Sequence, residues 1–199
     1  GAGISSLDSK ILNINGSEFT ENDANDPSGQ GQGGGIYCSS VPATIADSYI
    51  HDNTASKSGA GLYITGDTSS PKIANCLITR NSAGYDGGGI SVNWYADPII
   101  SNCTIVNNIA ASFGGGICGL FESNTKIINS ILWDNTSLNG NQIALGSIRN
   151  MNGPAVMNYT AELTVSYSNI EGGKDDIHIE PDQILNWLQG NIDADPLFT

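Results

Sequence analysis

The sequence predicts an all-β solenoid, a single-stranded parallel β-helix of about six coils of 26–28 residues, and two markers that keep one spacing predict it. The first is a small-residue turn leading into an apolar residue: GAGI at 1–4, GGGI at 33–36, GAGL at 59–62, GGGI at 87–90 and 114–117, and a degraded GNQI at 140–143. Its apolar residue recurs in steps of 32, 26, 28, 27 and 26. The second is an apolar residue followed by Ser or Cys at three, an apolar residue at five, Asn at eight and Ala, or Ser in the last copy, at ten. Its copies begin at Ile14, Ile45, Ile73, Ile100 and Ile127, in steps of 31, 28, 27 and 27.

A fixed period in the twenties means stacked units, none of which buries its apolar face without a neighbour. Within each unit, short runs rich in Ile, Val, Thr and Tyr are broken by Gly, Asn, Asp or Pro, and no run has the length or period of a helix. The Leu skeleton of leucine-rich repeats and the nine-residue glycine and aspartate repeat are both missing.

Stacking gives each column a meaning, since equivalent residues of adjacent coils lie ~4.8 Å apart. Ile14, Ile45, Ile73, Ile100 and Ile127 form one interior column; Phe19, Ile50, Ile78, Ile105 and Leu132 a second; Ile36, Leu62, Ile90 and Ile117 a third. Ser17, Ser48, Cys76, Cys103 and Ser130 fill a slot for small side chains. Asn22, Asn53, Asn81, Asn108 and Asn135 should form a ladder of side-chain amides. Residues 1–139 are the regular coils, and 140–199 hold divergent last coils and a capping segment of the same domain.

The chain opens inside a repeat, so further coils upstream or a partner are expected to cover its first strand edge. The loop after the first coil, ENDANDPSGQGQ, brings Asp23, Asn25 and Asp26 together: either a solvated Asx turn or a set of hard oxygen ligands for Ca²⁺, the one cofactor the sequence suggests. A G-x-G-x-x-G at Gly29, Gly31 and Gly34 precedes no helix, so it reads as a turn needing positive φ.

Along the middle coils Tyr37, Tyr63 and Ser91 share an outer position, with Trp94, Tyr95 and Phe121 in the following loops. Together with Trp133 these aromatics form a candidate carbohydrate-binding set, set against the alternative of ordinary half-buried rings. A second outer column holds His51, Thr79, Val106 and Trp133, flanked by Asp52, Arg80, Asn107 and Asp134. Asp52, Arg80 and His51 are the candidates for a catalytic role, but Asp52 and Asp134 stand about 14 Å apart at ~4.8 Å per coil, too far for paired-carboxylate hydrolysis. Arg80 opposite Asp52 reads first as a structural ion pair, so no catalytic site is identified.

Four cysteines, Cys38, Cys76, Cys103 and Cys118, show no C-x-x-C and no nearby His, which argues against zinc. Cys38 belongs to an inward slot with Ile64 and Val92, a Cys76–Cys103 disulfide is conceivable but not required, and Cys118 points outward by strand parity. Beyond 140 the pattern decays and revives at Val165, with Gly173 where the ladder would have Asn. The stretch PDQILNWLQ is expected to lie across or beside the rod as a cover, with Trp187 and Phe198 docking.

Seven Lys and Arg against twenty Asp and Glu give a net charge of -13, which disfavours nucleic acid because no basic stripe exists to release counterions. No apolar run approaches membrane-spanning length, so membrane insertion is not expected. Low Lys and Arg with abundant Gly, Asn, Ser and Thr suggests a secreted or cell-surface protein.

The repeated I-x-N-C-T-I-x-x-N-x-A followed by GGGI, and the closing SYSNIEGG with GNIDADPLF, resemble the right-handed parallel β-helix repeat proteins of the pectate-lyase-like superfamily, especially large secreted proteins of bacteria and some archaea. The resemblance implies a right-handed coil and an extracellular protein, often a module of a longer one; its usual continuation beyond DPLF implies truncation at Thr199. No catalytic residue of the family carries over. Three functions stay open: a structural, self-assembling or glycan-binding module whose partner is an extracellular polysaccharide or cell-surface component; a polysaccharide lyase or glycoside hydrolase built from Asp52, Arg80 and the loops around Trp94; and a calcium-dependent adhesin.

Overall fold

A computed structural model describes residues 3–67, 69–146 and 159–198. The opening glycine of the first turn, residues 147–158 of the decayed stretch, and Thr199 with the truncation expected there lie outside the described residues. The described chain is a parallel solenoid with four sheets running along its axis, two of seven strands, one of six and one of four. Every strand pairs in parallel with its equivalents one coil away. Coils with all four strands are confined to the first part of the rod, so the count differs from six equal turns.

The interior columns fall as the repeat dictates. Ile14, Ile45, Ile73, Ile100 and Ile127 are successive partners in the second sheet. Phe19 through Leu132 do the same in the third, and Ile36, Leu62, Ile90 and Ile117 in the first. Most are wholly buried, and they make one continuous core. A branched aliphatic column in a parallel sheet packs like on like, so each coil supplies half of its neighbour's dry surface.

The Asn ladder closes the corner after the third sheet. Each Nδ2 donates to the next Oδ1, from Asn22 to Asn53 at 2.8 Å, Asn53 to Asn81 and Asn81 to Asn108 at 2.9 Å, and Asn108 to Asn135 at 3.0 Å. The other N–H of Asn53, Asn81 and Asn108 caps a carbonyl of the coil before, those of Phe19, Ile50 and Ile78. Gln142 and Glu171 end the ladder: Asn135 donates to Gln142 at 2.6 Å, and Gln142 to Glu171.

The three glycines of the recurrent turn answer different needs. The first has positive φ in every described copy, 66° at Gly33 and 58° at Gly87, where a side chain is strained. At the second, a Cβ on Gly88 would lie 2.4 Å from the Ile109 carbonyl oxygen and 2.6 Å from that of Gly115, whereas the coil before holds a buried Ala60 in the same place.

Three expectations need correction. PDQILNWLQ does not cross the rod, because Ile184–Trp187 is a further strand of the second sheet, in register with Glu162–Ser166. Trp187 packs against the core from that strand, while Phe198 lies on the third sheet instead of at the end. Finally, all four cysteines are free, and Cys118, although on the outer side of its strand, is fully buried.

Candidate functional site

The six candidate aromatics fall on three parts of the surface. Tyr37 and Tyr63 stack on the first sheet at 5.3 Å, but Tyr63 is buried, because the preceding turn folds back over this face. Burial pushes its hydroxyl pKa up. Trp94, Tyr95 and Phe121 sit at the corner between first and second sheets, in left-handed backbone at φ 47°, 64° and 50°. Trp94 stacks on Phe121 at 4.3 Å with planes 6° apart, and Tyr159 meets both edge-on. Trp94 and Tyr95 remain 39% and 45% exposed. Trp133 is on the third sheet, beside Val106.

Asp52, Arg80 and His51 do come together, at the lower end of the third sheet, far in the circuit of the coil from the corner of Trp94. The Arg80 Nε donates to Asp52 Oδ1 at 2.8 Å and Nη2 to Oδ2 at 2.6 Å, and Nη2 also reaches the Tyr49 hydroxyl at 3.3 Å. His51 faces Asp52 through Nδ1 at 2.5 Å and Glu18 through Nε2 at 2.9 Å, with its ring stacked on Tyr49 at 3.7 Å. Arg80, and then His51, hold the Asp52 carboxyl down at about 2; the same pairing raises the guanidinium. Asp52 and Arg80 hold left-handed corner positions at φ 54° and 53°, one coil apart, which aims both side chains along the axis at each other. A site joining them to Trp94 does not form.

Asp23 and Asp26 are engaged separately, each within its own turn. Asp23 Oδ1 accepts from the Asn25 N–H at 2.8 Å and the Thr54 hydroxyl at 2.9 Å; Asp26 accepts from the N–H and hydroxyl of Ser28, which hold its carboxyl below its usual range. Among the described residues no group of three or more His, Cys, Asp or Glu is placed to share a metal ion.

Two features had no signal that the repeat alone could supply. Under the turn covering the first sheet, Asp86 is only 2% exposed; its Oδ2 takes a hydrogen bond from Ser58 at 3.4 Å and its Oδ1 has no partner. Burial pushes that carboxyl up to about 7. The other is a groove along the third sheet, made of three adjoining hollows of about 560, 720 and 640 Å³. The lower and middle ones share Tyr49, Asn75 and Leu77; the middle and upper share Asn102 and Thr104. One wall is a second ladder, solvent-facing, in which Asn75 donates to Asp47 at 3.0 Å and Asn129 to Asn102 at 2.6 Å. These four residues have φ between 49° and 54°, a region Asn and Asp tolerate best after Gly. The segment 193–198 enters from above: Asn169 and Ala194 exchange two hydrogen bonds at 2.6 and 3.1 Å, and Phe198 reaches the middle hollow.

Parallel strands, like-on-like columns and corner ladders define the class as a parallel β-solenoid. The model of the family described as right handed beta helix region matches residues 1–170, and the chain belongs to that family. No curated protein and no solved structure matches it.

Proposed function

We propose that this chain is an extracellular β-helix module that binds a neutral polysaccharide along the third-sheet groove without cleaving it. The observation that carries the reading is the groove itself: it follows the rod axis past several coils, so that equivalent polar groups recur at the coil spacing, as a linear polymer requires. Its walls offer the pairing that sugars take, amides and hydroxyls from Asn75, Asn102, Thr104 and Asn107 beside the Tyr49 ring. Neutral polymers are favoured over uronates because Glu18 and Asp47 line the lower end and the Arg80 guanidinium is engaged by Asp52. The acid and base groups present are bonded to one another, which supports binding without turnover. The low Lys and Arg content and the family's resemblance to secreted proteins support an extracellular setting.

Titration calorimetry with cellohexaose, laminarihexaose, mannohexaose and xylohexaose tests this, with polygalacturonate as the charged comparison. At least one neutral probe should bind, Tyr49→Ala and Asn102→Ala should each weaken it about tenfold, and no shorter product should form on prolonged incubation. Binding lost in Trp94→Ala but kept in the groove variants would move the site to the aromatic corner; released product would make the protein an enzyme.

A further inference from the structure

We infer that residues 193–198 are a built-in strap that occupies the upper groove and must leave it for a polymer to lie along the full length. This rests on the glycan-binding reading above. Ala194 is tied at the level of Asn169, while Phe198 lies beside Thr104, Asn107 and Arg80. Asn169 pairs with Ile131, Ile131 with Thr104, and Thr104 with Leu77, so the segment descends two to three layers, about 10–14 Å at ~4.8 Å each. Four residues of extended chain reach about 14 Å at ~3.4 Å per residue. The segment crosses the strands and follows the axis as a bound polymer would, bending at Leu197, whose backbone is left-handed at φ 51°.

It is also shallowly held. Beyond the Asn169 pair, the hydrogen bond within it, from the Leu197 N–H to Asp195 Oδ1 at 2.8 Å, is to itself. Leu197 and Phe198 stay 75% and 53% exposed. An occupant tied by two hydrogen bonds is displaced at a loss of about tenfold in a competitor's affinity, while Asp193 and Asp195 add negative charge that repels acidic chains from the same path. The strap thus sets both the apparent affinity and the charge preference of the upper groove.

The test compares the full chain, a chain ending at Asp193, and Phe198→Ala, with the four neutral hexasaccharides as probes. The shortened chain should bind the retained probe about five- to tenfold more tightly, Phe198→Ala, which keeps the Asn169 pair, should gain less, and adding that probe to the full chain should speed hydrogen exchange at the Ala194 amide. Equal affinity in all three, with Tyr49→Ala still weakening binding, overturns the strap and leaves the groove reading intact. Weaker binding in the shortened chain makes the segment part of the binding surface and also overturns it. Absence of binding in the full and shortened chains alike removes the groove reading, and the competition with it.

Discussion

Replacing Asn81 by Ala in the middle of the inner ladder should cost several times as much as replacing Asn22 at its end. Asn81 is fully buried; it donates to Asn108 Oδ1 and the Ile50 carbonyl, and its Oδ1 accepts from both the Nδ2 and the backbone N–H of Asn53. Alanine removes four hydrogen bonds at once and leaves their partners in a dry corner that water cannot enter. At about 1 kcal/mol per net bond the loss is about 4 kcal/mol, and unsatisfied partners at about 1–3 kcal/mol each push it upward. Asn22 is partly exposed, its side chain makes one bond to Asn53, and the Asn22 backbone N–H keeps the same acceptor, so Asn22→Ala should cost about 1 kcal/mol. Urea unfolding followed by circular dichroism measures both, and hydrogen exchange at the Asn53 amide shows whether the damage is local to the coil below. Equal costs near 1 kcal/mol, with the Asn53 amide still protected, would refute the view that the ladder holds this corner.

Asp86→Asn should stabilise the protein at neutral and higher pH. A carboxyl whose folded pKa is about 7 against 3.8 unfolded destabilises progressively as pH rises from about 4 to 7, by on the order of 4 kcal/mol at full effect, so the wild type should lose stability across that window and the Asn variant should lose less; parallel pH profiles of the urea midpoint would disprove it. Gly89→Ala should cost about 3 kcal/mol because its Cβ would lie 2.7 Å from the Gly116 carbonyl oxygen and 3.2 Å from the Ile105 side chain, whereas Gly16→Ala, with open space but φ of 55°, should cost about 1 kcal/mol; thermal melts of the pair decide it. Native protein should show no fast-reacting thiol towards an aromatic disulfide reagent and four after unfolding, since all four cysteines are buried and burial pushes Cys38 up to about 12.

What could be read from the residues was whatever the chain repeats. Ile73 over Ile100 and Asn81 over Asn108 were legible because two markers independently fixed the offset, and the Asp52–Arg80 pair followed from the same offset of one coil. Strand parity correctly put Tyr63, Ser91 and Cys118 on the outer side, yet outer was not exposed: the glycine turn covers them, and parity carries no information about a covering loop. The fourth sheet escaped notice because strands such as Ser82–Ala83 are two residues long, too short to show an alternation. Ile184–Trp187 was misread for the opposite reason, being a strand without the small-residue and Asn markers that identify the others. The segment that lies in the upper groove occurs once, so no spacing announced it.

The inner ladder has a sense of direction, with every amide in it handing its proton forward to the coil that follows. A rod so built is vectorial, and its two ends are chemically unlike even where their outlines match. It also grows in quanta: removing one whole turn brings Asn onto Asn and Ile onto Ile again, while a deletion of any other size must be absorbed in a loop or it severs both lines. The spread of 26 to 32 residues between equivalent positions records where loops have absorbed such changes without the corners moving.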